Sequence, residues 1–166
     1  MTERITVRTV NLDVEQDATA LLNLLDHYAQ DPMGGGHPLT ESTREHLIPR
    51  LKQVSNFHAA LAWADDGADK QAVGLINCLI GFSTFAAAPL LNVHDLVVRD
   101  DHRGKGIGSA LLGHAEHLAR DLGCCKMTLE VLSENTIAQR SYVRVGFRPY
   151  VLDPAAGHAL LMVKPL

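Results

Sequence analysis

Arg103-Gly104-Lys105-Gly106-Ile107-Gly108-Ser109 is the stretch whose reading decides the fold. An apolar run, Leu90 to Val98, precedes it, and a segment of helical period, Ile107 to Leu122, follows it. The stretch therefore reads as a strand, a tight glycine-rich turn and a helix start. Glycines there let the backbone approach a ligand with no Cβ in the way. The first N–H groups of a helix have no intrahelical partner, and the helix dipole adds partial positive charge. Such an end suits a phosphate or pyrophosphate. Arg103 and Lys105 add full positive charges beside it. The expectation is a nucleotide-like, pyrophosphate-bearing cofactor at this turn.

At 166 residues, the length suits a single domain, 1–166, with a sizeable core. There are 15 basic and 19 acidic residues, a net charge of −4. That gives no support for a nucleic-acid partner. The cysteines, Cys78, Cys124 and Cys125, make a poor disulfide framework and suggest reduced thiols in a cytoplasmic protein. The N-terminal residues lack the layout of a signal peptide. Ala72 to Val93 is mostly apolar, but Asn77, Ser83, Thr84 and Pro89 interrupt it, so two buried strands fit better than a membrane span.

Working outward, Ile5 to Val10 alternates as a half-buried strand. Asp13 is the expected cap of a helix over Val14 to Ala29, with Ala18, Leu21, Leu22, Leu25 and Tyr28 as its apolar stripe. Asp31 to Pro38 is a loop, a plain connector or a flap over an acceptor site. Thr40 or Ser42 caps a second helix, Glu41 to Val54, interrupted at Pro49. Strands follow at Phe57 to Trp63, Ala72 to Phe85 and Leu90 to Val98. The helix after the glycine turn puts Ile107, Leu111, Ala115, Leu118 and Leu122 on one face. His114 and His117 lack zinc-protease spacing and read as solvated. Met127 to Leu132 is a strand and Thr136 to Val145 a short helix. Phe147 to Leu152 and Ala159 to Val163 read as a final hairpin. The element order implies a mixed α/β sheet flanked by helices.

Three phosphate-binding patterns compete at the turn. A Walker loop must end in Gly-Lys-Ser/Thr, which is missing here. A dinucleotide fingerprint needs a third glycine where Ser109 or Leu111 stands, although Glu130 lies at about the spacing of its ribose acid, roughly 20 residues on. The third is a resemblance. Arg103, Gly106 and Gly108 fit the Arg/Gln-x-x-Gly-x-Gly/Ala loop of the GNAT N-acetyltransferase superfamily. Leu96-Val97-Val98 is similar to the strand before that loop. Asn135 and Tyr142-x-x-x-Gly146-Phe147 resemble the later motif. The likeness covers Leu90 to Tyr150. Phe82 to Phe85 and Leu91 to Val98 resemble the diamine (spermidine/spermine) acetyltransferase branch, which has Glu-Asp where this chain has His94-Asp95.

The resemblance implies the GNAT fold: a mostly antiparallel sheet with a splayed, parallel central strand pair. It implies acetyl-CoA as cofactor and acetyl transfer to a small-molecule amine such as a diamine, polyamine or amino acid. Gly104, Lys105, Gly106, Ile107, Gly108 and Ser109, with Arg103, would cradle the pyrophosphate. The backbone of Leu96, Val97 and Val98 would meet the pantetheine arm as an added strand, and Asn135 would help hold the cofactor. Tyr142 is the implied general acid, beside the cofactor. His94 is a candidate base, since a free imidazole titrates near pH 6.5, and Asp95 or a water chain stays open. A homodimer is implied by the resemblance alone. A protein N-terminal or lysine acetyltransferase, or a non-catalytic acyl-CoA-binding module, are the other readings.

Overall fold

The computed structural model describes residues 3–67, 69–153, 155, 157 and 159–165. The chain runs β1 (Arg4–Thr9), α1 (Glu15–Gln30), α2 (Glu41–Leu51), β2 (Phe57–Asp65), β3 (Lys70–Ser83), β4 (Ala88–Val98), α3 (Ile107–Asp121), β5 (Met127–Leu129) and α4 (Thr136–Arg144). The strands form one sheet in the order β1-β2-β3-β4-β5. The first three pairings are antiparallel, and β4 with β5 is parallel. This is the mixed α/β architecture expected.

Helices cover both faces of the sheet. On one side Leu21 and Leu24 of α1, with Leu47, Ile48 and Leu51 of α2, pack on Leu61, Trp63, Leu75 and Val97. On the other, Ile107, Leu111, Leu112, Ala115 and Ala119 of α3 pack on Ala60, Ala62, Ile76, Leu91 and Val93. Burial on both faces explains why β2 and β3 read as continuous apolar runs. Gly74 sets how closely α3 approaches. A Cβ there would lie 3.0 Å from Leu111 Cδ1 and 3.1 Å from Ile107 Cγ2. The bare backbone of β3 thus seats the first turns of α3, and with them the glycine turn.

Several expectations shift. Val14, not Asp13, precedes α1, and Asp13 pairs with Lys52 Nζ at 2.8 Å. Asp17 joins the buried stripe of α1, because Arg8 donates two hydrogen bonds to its carboxylate, at 2.7 and 2.5 Å. Thr40 is the cap of α2 and accepts from Thr43 N–H. Pro49 does not interrupt α2, since it lies in the last turn, where little hydrogen-bonded helix follows. The buried face of α3 turns toward Leu112 and Ala119, leaving Leu122 exposed. His114 is half-buried and bonded to Thr9 Oγ1 at 3.0 Å rather than solvated.

The expected hairpin is the largest departure. Among the described residues after α4 there is no strand; Pro154, Ala156 and His158, within the span of that hairpin, lie outside the description. Among the described residues, the parallel pair therefore sits at the sheet edge rather than at its centre. Among the described residues, no helix is long and apolar enough to cross a membrane.

Candidate active site

The site is built on β4. Its register with β3 slips once: Asn77 pairs with Asp95 and Cys78 with Val93, so His94 is an extra residue without a partner. This β-bulge breaks the alternation of faces. Leu91 and Val93 face α3 before it, Leu96 and Val98 do so after it, and Val97 turns to α1. His94 itself is exposed. Pairing with β5 ends at Val93 and Leu129. From His94 to Val98, β4 has no strand partner among the described residues on the side away from β3. That free edge is where Leu96, Val97 and Val98 are expected to offer peptide groups. It arises because β5 stops three residues before its expected end at Leu132.

β4 then leads through a short helical turn, Asp100–His102, into the glycine turn. Gly104 and Gly106 have φ of +78° and +81°, the left-handed region that favours glycine. Gly106 precedes α3 without any side-chain cap. Ala110 N–H donates to Gly106 O, but the N–H groups of residues 104–109 find no acceptor among the described residues. A Cβ built at Gly104 or Gly106 meets nothing within 4 Å, so the space before the turn is open. A row of unpartnered N–H donors at a helix N-terminus fits a pyrophosphate. A cleft of about 730 Å³ runs from Ser109 between α3 and Gly146-Phe147.

Arg103 and Lys105 are not free charges. Arg103 donates to Val98 O at 3.1 Å, to Asp31 Oδ2 at 2.9 Å and to Asp100 Oδ1 at 2.8 Å. Lys105 Nζ is 3.1 Å from Glu3 Oε2. The other oxygen of Glu3 meets His102 Nε2 at 2.9 Å, and His102 Nδ1 lies 2.8 Å from Asp101 Oδ1. With a carboxylate at each ring nitrogen, His102 is raised above its ordinary pKa, chiefly by Asp101 and then Glu3. Asp101 is lowered to about 2 by its bonds to His102 and Arg99.

Tyr142 stands on α4 and packs on the same core as Leu96 and Val98, edge-to-face with Phe147 at 6.0 Å. Burial, then the charge of Tyr28, pushes its phenol above the ordinary value. It keeps its proton at neutral pH. Asn135 is committed locally: its Oδ1 caps α4 by accepting from Ala138 N–H at 3.2 Å, and its amide NH2 makes no hydrogen bond among the described residues. Cys78, paired beside the bulge, is pushed up to about 12 by burial and by Asp95. It is a packing residue, not a nucleophile.

The structure thus gathers the glycine turn, the free edge of β4 and Tyr142. It leaves His94 exposed and ties Lys105 to Glu3, the residue before β1. Asn77, Tyr28 and Asp31 lie at the site unannounced by any motif. Asn77 stands in an apolar run, where the sequence alone shows it only as a break. Asp31 opens a glycine loop, a position that signals turn chemistry but no long-range ion pair.

Comparison with known proteins gives a consistent set of matches. The model of the family described as "Acetyltransferase (GNAT) family" matches residues 22–147. Streptothricin acetyltransferase of Streptomyces lavendulae is 37% identical over 105 residues, which cover 57% of this chain and 56% of that protein. An uncharacterized N-acetyltransferase of Bacillus subtilis, YobR, is 25% identical over 125 residues, 75% of this chain and 45% of its own length. The chain thus spans about half the length of these two relatives. Among solved structures, a probable acetyltransferase superposes with a TM-score of 0.77 at 23% identity, covering 98% of this chain and 99% of its own.

Proposed function

The chain belongs to the acetyltransferase (GNAT) family, whose members use acetyl-CoA, and we propose that it moves an acetyl group from acetyl-CoA to a primary amine of a small molecule. The observation that carries this reading is the row of N–H groups at residues 104–109 that find no acceptor among the described residues, at the end of a strand edge that is unpaired among them too. Arg103, Gly104, Lys105, Gly106, Ile107, Gly108 and Ser109 are proposed to hold the pyrophosphate, and Leu96, Val97, Val98 and the free amide of Asn135 the rest of the cofactor. Bound acetyl-CoA supplies an activated thioester.

The chain's own residues then move protons. Tyr142 keeps the proton on Oη that a departing thiolate needs. His94, exposed on the bulge, presents an imidazole that accepts the amine's proton. Both roles are proposals. So are the cytoplasmic setting, for which three cysteines without a disulfide speak, and the homodimer. The diamine-branch resemblance and the streptothricin relative both favour amine-bearing small molecules as acceptors.

The test is an amine panel with acetyl-CoA, read as CoA release. Turnover with at least one small amine supports the reading. Acetyl-CoA binding without turnover on any amine, peptide N-terminus or lysine overturns it in favour of a binding module.

A further inference from the structure

A second cleft, of about 520 Å³, lies along α1 where it crosses the start of β3 and the end of β4. None of the residues proposed to hold the cofactor borders it, and neither Tyr142 nor His94 does. Trp63 of β2 forms part of its wall and is 2% exposed. Its Nε1 is buried with no hydrogen-bond partner among the described residues. An indole N–H can only donate, and leaving such a group unsatisfied is costly and rare.

Two cations border the same cleft. Lys70 is exposed, and its Nζ lies over the indole, 5.4 Å from the ring centre. Unlike Lys52 and Lys105, it makes no ion pair among the described residues. Asp17 feels its charge but is held by Arg8. Arg99 meets Asp101 Oδ1 through Nε at 3.3 Å, and its terminal NH2 groups donate no hydrogen bond among the described residues. At the C-terminal end of α1, His27 Nε2 is also buried without a hydrogen bond, 3.6 Å from Asp100 Oδ1. That carboxylate keeps an anion from this end.

An indole N–H, an ammonium and a guanidinium have no acceptor capacity. Their shared complement is an anionic oxygen group. Glu15 is the one carboxylate in the lining, so Lys70 and Arg99 leave a single positive charge in excess. A monocarboxylate balances that charge, and a phosphate dianion overshoots it. Ala20, Leu24 and Ala72 border the cleft as well and suit a carbon body.

We propose that this cleft binds a small monocarboxylate with an apolar body, its oxygens taken by Trp63 Nε1, Lys70 and Arg99. Rotation of the flexible Lys70 stem opens the indole edge to the ligand, and the ammonium follows the carboxylate in. The site is separate from acetyl transfer and does not rest on that reading.

The chain has one tryptophan, so its single indole signal in a proton–nitrogen correlation spectrum reports the site. The probe is hexanoate, titrated into the full chain with CoA present, since the glycine turn also attracts anions. A saturable downfield shift of the indole signal is expected. Hexylamine, with the charge reversed, should leave it in place, and inorganic phosphate should bind more weakly than hexanoate. Lys70→Met keeps the stem and removes the charge. It is expected to weaken hexanoate roughly 10- to 100-fold, the worth of a hydrogen bond to a charged group. Arg99→Gln should weaken it by a smaller factor. Trp63→Phe, followed by calorimetry, should also weaken it; should that variant not fold, Lys70→Met decides alone. An indole signal unmoved by hexanoate, an equal shift with hexylamine, or undiminished binding in Lys70→Met overturns the site. Tighter binding of phosphate than of hexanoate overturns the ligand class.

Discussion

Tyr142 and His94 occupy opposite kinds of environment. Tyr142 is packed against Phe147, and burial holds its proton in place. Tyr142→Phe keeps the ring and removes only that proton. It is expected to lower kcat by roughly 10²- to 10⁴-fold, the range for losing a general acid, while calorimetry finds acetyl-CoA affinity little changed. His94 is exposed on the bulge, and its ring makes no hydrogen bond among the described residues. If it takes the amine's proton, His94→Ala should lower kcat/KM by roughly 10²- to 10⁴-fold, the range for losing a general base, and added imidazole should restore part of the rate. An undiminished rate in His94→Ala would remove His94 from the chemistry. At Asp17 the same residue-scale balance is structural. Burial raises its pKa, but hydrogen bonds from Arg8 and Asn11 outweigh it, so the carboxylate is lowered overall.

The glycine turn and α3 act as one element. Gly106→Val puts a branched side chain at φ of +81° and distorts the row of N–H groups. Acetyl-CoA binding should be lost in calorimetry, with the melting curve still cooperative. Gly74→Ala tests the seat of the same element from β3, since its Cβ would press on Leu111 and Ile107 at 3.0 and 3.1 Å. A weaker cofactor Kd with a modest fall in Tm is expected, overpacking in a core typically costing about 1–3 kcal/mol. The turn was legible in the sequence because strand, glycines and helix start are adjacent in the chain. The helices and inner strands were legible from periodicity and apolar runs. What could not be read depends on register and on distance along the chain. The bulge at His94 is a slip between two strands, and neither strand alone signals it. Asn77 acquires meaning only from facing Asp95, 18 residues away. The C-terminal hairpin was inferred from apolar runs, yet Leu160, Leu161, Met162 and Val163 are all at least 75% exposed, because a hydrophobic stretch states a preference for burial, not the surface that meets it.

At the scale of the molecule, Glu3, the residue before β1, ties the start of the sheet to the turn through His102 and Lys105. The sign of its pH dependence follows from the shifts. His102 is raised, so its contribution is full below its ordinary value of 6.5 and fades as pH rises through the higher folded value. Glu3 is lowered from 4.5, so its contribution is full above that value and fades as pH falls through the lower one. The stability gap between wild type and His102→Gln should therefore be widest between these limits. Thermal melts across a pH series should show it shrinking above neutrality; a constant gap would mean that the charge of His102 contributes nothing. The other tether has a different consequence. Arg103 joins the turn to Asp31, whose carbonyl also receives the N–H groups of Gly34, Gly35 and Gly36. An anion that draws the guanidinium away from Asp31 would exchange one counter-ion for another, and the glycine loop would lose an anchor as the proposed cofactor site gains one. Reciprocity requires that whatever strengthens the grip of Asp31 on Arg103 weakens the cofactor by the same factor. In hydrogen exchange, the amides of 33–37 should become less protected when the turn is filled, so that cofactor loading loosens this loop before an acceptor arrives.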